Sequence, residues 1–62
     1  MVRYMLRLNN STEALKAKQV LNSQGFNMNN ITKEFNELVF SRDSSRQRAK
    51  RLLKAGGFKI FN

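Results

Sequence analysis

The sequence predicts an α+β fold in which strands and helices follow the order βαββαβ. The first observation is periodicity, because short segments with alternating apolar residues flank two segments whose apolar residues recur at helical spacing. The second is a repeat: residues 17–26 (AKQVLNSQGF) match residues 49–58 (AKRLLKAGGF) at an offset of 32 residues. The 62 residues are therefore predicted to form a single domain, 1–62, with two similar halves of about 1–31 and 32–62.

The first strand is predicted over residues 2–8, where Tyr4, Leu6 and Leu8 alternate with residues of the opposite face. This two-residue period is typical of a strand that is buried on one side.

The first helix is predicted to begin near Asn10, because Asn10 and Glu13 have the spacing of a capping box, with Asn in place of Ser or Thr. An apolar stripe follows at helical spacing, formed by Ala14, Ala17, Val20 and Leu21. Gly25 should end the helix, since glycine adopts the left-handed conformation that follows many helices. Phe26 then stands where a hydrophobic contact back to the helix is common.

A hairpin is predicted next, with its second strand inside residues 27–35 and its third over 37–42. The alternating positions of the second strand are Ile31, Lys33 and Phe35. Asn36 is predicted to lie in the tight turn, and Leu38 and Phe40 to share one face of the third strand.

The second helix is predicted to have Ser44 as its N-cap, with Gln47 completing an S-x-x-Q capping box. Its core-facing residues are predicted to be Ala49, Leu52 and Leu53. Gly56 and Gly57 should end it, and the β-prone residues 58–62 should form a fourth strand. The expected architecture is the split-βαβ or ferredoxin-like arrangement, a four-stranded antiparallel sheet with both helices on one face.

Composition argues against several function classes. The chain has no Cys and no His, which excludes disulfides and makes a zinc site or another resident cofactor unexpected. No apolar run approaches the about 20 residues that span a bilayer, so no membrane association and a cytoplasmic location are expected. The acidic residues have no catalytic pairing and the glycines form no phosphate-binding loop, so the protein is not expected to be an enzyme.

Charge is the strongest functional signal, because 12 basic residues face four acidic ones and give a net charge of +8. Most of this charge follows Arg42, and the second helix places Arg46, Lys50 and Lys54 in one row at four-residue intervals. Like charges at this spacing destabilise a helix by about 0.2–0.5 kcal/mol per pair, so their accumulation indicates binding to a polyanion.

The predicted binding residues are basic and lie in two groups. The second helix and the residue before it supply Arg42, Arg46, Arg48, Lys50, Arg51 and Lys54. On the sheet face away from the helices, Arg3 and Arg7 would extend the same footprint. Phe26 and Phe58, in contrast, are predicted to make core or helix-capping contacts rather than to stack on bases.

These residues lead to one preferred function and two alternatives. The preferred one is a small basic protein that binds the phosphate backbone of DNA or RNA, with weak sequence specificity. The first alternative is a protein-interaction module that docks on an acidic protein surface, as phage-encoded inhibitors or adaptors of host machinery do. A homodimer formed through the open sheet face or the strand edges is compatible with either function.

Overall fold

The computed structural model describes residues 3–61, so Val2 and Asn62, which were included in the predicted first and last strands, lie outside the described residues. The described chain is α+β, with two helices and a three-stranded antiparallel sheet. A single turn of 3₁₀ helix at Met28–Asn30 precedes the second strand. The elements are β1 (Tyr4–Arg7), α1 (Ser11–Ser23), β2 (Ile31–Glu34), β3 (Glu37–Phe40) and α2 (Asp43–Ala55).

The sheet has the order β1-β3-β2, with β3 in the centre. Leu6 of β1 lies opposite Leu38 of β3, and Ile31 of β2 lies opposite Phe40 of β3. Because side chains alternate between the two faces of a sheet, these four apolar residues lie on the same face. Their burial shows that it is the face covered by the helices.

Both helices pack on that one face and share a single core with it. The helix α1 contacts β2 and β3, whereas α2 contacts β1 and β3. Fully burying a Leu side chain contributes about 1.5–3 kcal/mol, so this core is the main source of stability in so small a chain. The buried residues are Leu6, Leu8, Ala14, Ala17, Leu21, Ile31, Leu38, Phe40, Ala49 and Leu53.

The two helices begin differently. Asn10 is the N-cap of α1, and its Oδ1 accepts a hydrogen bond from the backbone N–H of Glu13 at 2.8 Å, which confirms the predicted start. The predicted N-cap of α2, Ser44, is wrong, because the helix already begins at Asp43, after Arg42. The side chain of Gln47 donates a hydrogen bond to the Asp43 carboxylate at 2.8 Å. Gln47 therefore pairs with Asp43 in the first turn and not with Ser44.

The two helices end in the same way, and the predicted roles of the glycines are confirmed. Gly25 has φ 85° and Gly57 has φ 93°, both in the left-handed region that glycine adopts without strain. The N–H of Phe26 donates to the carbonyl of Leu21 at 3.1 Å, and the N–H of Phe58 donates to that of Leu53 at 3.0 Å. This is the hydrogen bond of a Schellman motif, which reverses the chain after each helix.

The predicted fourth strand is not formed within residues 58–61. One backbone hydrogen bond, 2.9 Å from the N–H of Phe61 to the carbonyl of Arg7, ties this segment to the edge of β1 that faces away from β3. Phe58 and Ile60 also pack against the core. The N–H of Phe58 is used in closing α2, which leaves few described residues for a ladder along β1.

The hairpin between β2 and β3 turns at Phe35 and Asn36. Asn36 lies in the turn as predicted, whereas the inclusion of Phe35 in the second strand is wrong. Phe35 has φ 54° and its residue surface is 77% exposed. A bulky residue rarely adopts such a backbone conformation. The Asn36 side chain donates to the carbonyl of Leu8 at 3.1 Å and holds the turn against the end of β1.

Candidate nucleic-acid interface

Six of the eight predicted binding residues lie on α2 or directly before it. The helix turns Ala49 and Leu53 into the core, and its basic side chains occupy most of the remaining circumference. The exposed ones are Arg42, Arg48, Arg51 and Lys54, whereas Arg46 and Lys50 are half-buried.

Arg46 differs from the other cations of α2. It precedes Leu53 by seven residues, which is nearly two full turns, so Arg46 and the buried Leu53 lie on nearly the same side of the helix. Its Nε lies 2.7 Å from Oδ1 of Asp43, and its side chain is 24% exposed. Hydrogen bonds from Arg46 and Gln47 hold the pKa of Asp43 below its ordinary value. The predicted row of Arg46, Lys50 and Lys54 is therefore not the most exposed set of cations on the helix.

Each of the four acidic residues forms an ion pair. The pairs are Glu13 with Lys16 at 3.8 Å, Glu34 with Arg3 at 3.0 Å, Glu37 with Arg7 at 3.2 Å and Asp43 with Arg46 at 2.7 Å. The eight other basic residues carry the net charge of +8. They are Lys18, Lys33, Arg42, Arg48, Lys50, Arg51, Lys54 and Lys59. Five of these eight fall between Arg42 and Lys54, so the excess positive charge is concentrated at α2.

Arg3 and Arg7 lie elsewhere. Because Leu6 points toward the helices, Arg7, next to it on β1, and Arg3, an odd number of residues away, point to the opposite sheet face. Their partners Glu34 and Glu37 stand on the same open face, which leaves this region close to neutral. The structure therefore does not bring Arg3 and Arg7 together with the cations of α2.

Arg48 makes a contact that the sequence did not predict. Its guanidinium carbon lies 5.0 Å from the centroid of the Phe26 ring, within the range of a cation–π interaction. Phe26 also packs against the core and closes α1 through its backbone, as predicted. The repeat contained a signal for this contact. Arg48 aligns with Lys16, but Ser45 occupies the position that aligns with Glu13, so Arg48 lacks the carboxylate that Lys16 has.

Neither helix in residues 3–61 is both long and apolar enough to cross a membrane. In the same part of the chain, no group of three or more His, Cys, Asp or Glu residues is placed to hold a metal ion.

Comparison with known proteins finds no matching family model, no similar curated protein and no similar solved structure.

Proposed function

We propose that this protein is a non-enzymatic nucleic-acid-binding protein that contacts the phosphate backbone through the exposed cations of α2. The observation that carries the proposal is the separation of charge. The sequence of α2 contains one acidic residue, Asp43, and that residue is bound to Arg46. The exposed side chains of Arg48, Arg51 and Lys54 thus have no carboxylate of their own helix to neutralise them.

The dimensions of the basic segment suit a nucleic-acid backbone. From Arg42 to Lys54 the chain advances by twelve residues. At 1.5 Å per residue, such a helical segment extends for about 18 Å. One strand of a duplex carries a phosphate about every 3.4 Å along its axis, so this length matches roughly five phosphates. Five basic residues besides Arg46 lie along this segment, namely Arg42, Arg48, Lys50, Arg51 and Lys54.

Phosphate binding of this kind predicts a steep dependence on salt. With about five contacts, counterion release gives a slope of the logarithm of affinity against the logarithm of salt concentration of about −4.5 on duplex DNA and about −3.5 on a single strand. Contacts made to phosphates alone do not distinguish sequences, so specificity is expected to be weak unless other residues contact bases.

The proposed fold is the ferredoxin-like arrangement, in which the segment that begins at Phe58 is a short fourth strand beside β1. The backbone hydrogen bond from the N–H of Phe61 to the carbonyl of Arg7 supports this placement. A division into two repeated halves is supported by equal burial at aligned positions, since Leu6 and Leu38 are both 0% exposed, as are Leu21 and Leu53. In this arrangement the sheet supports α2 from one side and leaves its opposite side to solvent.

The test compares charge reversal on the two helices. Arg51→Glu with Lys54→Glu removes two exposed cations from α2, and Lys16→Glu with Lys18→Glu makes the same change of net charge on α1. We expect the α2 variant to bind short DNA and RNA about 100-fold more weakly at low salt, with a slope reduced by about 2. The α1 variant should keep most of its affinity and its slope. Fluorescence anisotropy at several salt concentrations measures both quantities.

Two results contradict the proposal. Equal losses in the two variants would show that only net charge matters and that α2 is not the binding surface. An absence of binding to duplex and single-stranded DNA and RNA at low salt would refute nucleic-acid binding altogether. An acidic protein surface would then remain as the polyanion, and a pull-down from nuclease-treated lysate would search for it.

A further inference from the structure

The structure contains two clefts that occupy equivalent places in the two halves of the chain. One lies where Gly25 and Phe26 follow α1 and meet the beginning of α2, and the other lies where Gly57 and Phe58 follow α2 and meet the beginning of α1. Four lining residues of each cleft correspond at the repeat offset: Gly25 with Gly57, Phe26 with Phe58, Asn27 with Lys59 and Ser45 with Glu13. In both clefts the aromatic ring comes from the residue that follows the helix-ending glycine.

The chemistry of the two clefts differs. The cleft beside Phe58 is lined by Glu13, whose carboxylate lies 3.8 Å from Lys16 Nζ. In the cleft beside Phe26, Ser45 occupies the equivalent position. Arg48, which is equivalent to Lys16, also lines this cleft and extends over the Phe26 ring instead of pairing with a carboxylate.

Two asparagines also line the cleft beside Phe26. They are Asn27 and Asn30, and the loop that carries them is held by its own hydrogen bonds. The Asn27 Oδ1 accepts from the N–H of Asn29 at 3.1 Å, and the carbonyl of Asn30 accepts from the N–H of Ser41 at 3.0 Å. The first of these bonds uses only the oxygen of the Asn27 amide, so its NH₂ group can still donate to a ligand.

These groups match an unpaired nucleobase. Guanidinium planes and aromatic rings stack on bases in single-stranded nucleic acids, and Asn amides form hydrogen bonds with base edges. The residues that line this cleft include no acid, so none of them repels a neighbouring phosphate. The cleft also borders α2, because Ser45 and Arg48 belong to that helix.

We infer that the cleft lined by Phe26 and Arg48 binds one unpaired base of a single-stranded nucleic acid while the exposed cations of α2 contact the adjoining phosphates. This inference rests on the proposed function and makes it more specific, because it assigns a preference for single strands over duplex. The base stacks on one side of the Arg48 guanidinium, and the Phe26 ring contacts the other side. Asn27 and Asn30 contact the edge of the base.

The test uses two substitutions in the cleft, each with a matched control outside it. Ser45→Glu introduces a carboxylate where the other cleft has Glu13, and Ser44→Glu makes the same charge change one residue earlier, at an exposed position. Arg48→Lys keeps the charge but removes the planar group, and Arg51→Lys does the same on the exposed side of α2. The probes are a short single-stranded oligodeoxynucleotide and the blunt-ended duplex that it forms with its complement.

The wild-type protein is expected to bind the single strand more tightly than the duplex. Loss of one stacked base typically weakens binding about tenfold, so Ser45→Glu and Arg48→Lys should each weaken single-strand binding by about that factor relative to duplex binding. Ser44→Glu and Arg51→Lys should leave the ratio of the two affinities unchanged. Thermal unfolding of each variant checks that the fold is retained.

A second measurement needs no substitution. In NMR spectra of the wild-type protein, deoxyadenosine monophosphate should shift the side-chain amide signals of Asn27 and Asn30 and the ring signals of Phe26, whereas inorganic phosphate should not. Equal effects of the cleft variants and their controls, together with no shift from the nucleotide, would overturn this inference while leaving phosphate binding by α2 intact. No binding of either probe at low salt would overturn both proposals.

Discussion

The two helices of this protein are alike where they face the sheet and unlike where they face solvent. Leu21 and Leu53 are both fully buried, and both helices end in the same glycine and hydrogen-bond motif. On the outside, Gln19, Asn22 and Ser23 of α1 align with Arg51, Lys54 and Ala55 of α2. Because α1 packs on the same sheet without such a concentration of cations, the fold itself does not require the charge of α2. The difference between the helices is therefore the best guide to function.

Substitutions in the core that the two helices share should have the largest effect on stability. Leu21→Ala and Leu53→Ala should each lower the free energy of unfolding by about 2–5 kcal/mol, because each removes a fully buried side chain and leaves a cavity. If the two sites are equivalent, the two losses should agree within about 1 kcal/mol. Urea denaturation followed by circular dichroism measures both.

Leu15→Ala is the matched control, because Leu15 lies on α1 but is 47% exposed. Leu15→Ala should lower the free energy of unfolding by well under half as much as either core variant, since about half of the residue surface is already exposed to water. A large loss at only one of the two buried positions would show that one half supplies most of the core and would weaken the comparison between the halves.

The shared features were the ones that the sequence could predict. Periodicity located both helices and the three strands, and the glycines at 25 and 57 marked the helix ends correctly because few other residues accept φ near 90°. The start of α2 was missed because Ser44 has the right spacing to Gln47, yet Asp43 one residue earlier accepts the hydrogen bond from the Gln47 side chain. Competition between neighbouring polar residues is decided by geometry that a spacing rule does not contain.

The environment of the predicted binding residues was predictable only in part, for a similar reason. Counting charges found the basic residues of α2, but it could not show that Arg46 would bind Asp43 or that Arg3 and Arg7 would face Glu34 and Glu37. Those pairs depend on strand register and helix phase. The cleft beside Phe26 also needed the structure, because it joins the end of α1 to the beginning of α2 across the fold.

A substitution in the hairpin between β2 and β3 should have a smaller effect on stability, and one of opposite sign. Phe35 has φ 54°, a conformation that costs a bulky residue about 1–3 kcal/mol but that Asn tolerates. Its ring is largely exposed, so replacing it loses little burial. Phe35→Asn should therefore raise the free energy of unfolding by about 1 kcal/mol. Thermal and urea unfolding would measure the gain.

Phe35→Ala separates the two contributions to that change. It removes the ring but keeps a Cβ atom without the short polar side chain that favours positive φ, so its gain should be clearly smaller than that of Phe35→Asn. Equal gains in both variants would show that the exposed ring, rather than the backbone, is the source of the instability. A loss in Phe35→Asn would show that the ring makes a stabilising contact.

The smallest expected effect is a difference in how the first turns of the two helices respond to pH. The first turn of α1 is capped by the neutral amide of Asn10, whereas in the first turn of α2 the Asp43 carboxylate accepts hydrogen bonds from Arg46 and Gln47. The pKa of Asp43 is lower in the folded protein than in the unfolded chain, so the folded state binds fewer protons at this group. Its contribution to stability is thus complete above the unfolded pKa of about 3.9 and is lost as the pH falls through the lower folded value.

Amide hydrogen exchange followed by NMR between neutral pH and pH 3 measures this contribution helix by helix, once the intrinsic pH dependence of exchange has been removed. Protection in the first turn of α2 should decrease over the lower part of this range, while protection in the first turn of α1 changes less, because Asn10 does not titrate. Asp43→Asn should remove the difference in pH dependence at α2, since its amide carries no charge at any of these pH values. An unchanged pH dependence in Asp43→Asn would mean that Asp43 does not support this turn, and that the backbone carbonyl of Arg42, which accepts from the N–H of Arg46 at 3.2 Å, is enough to begin the helix.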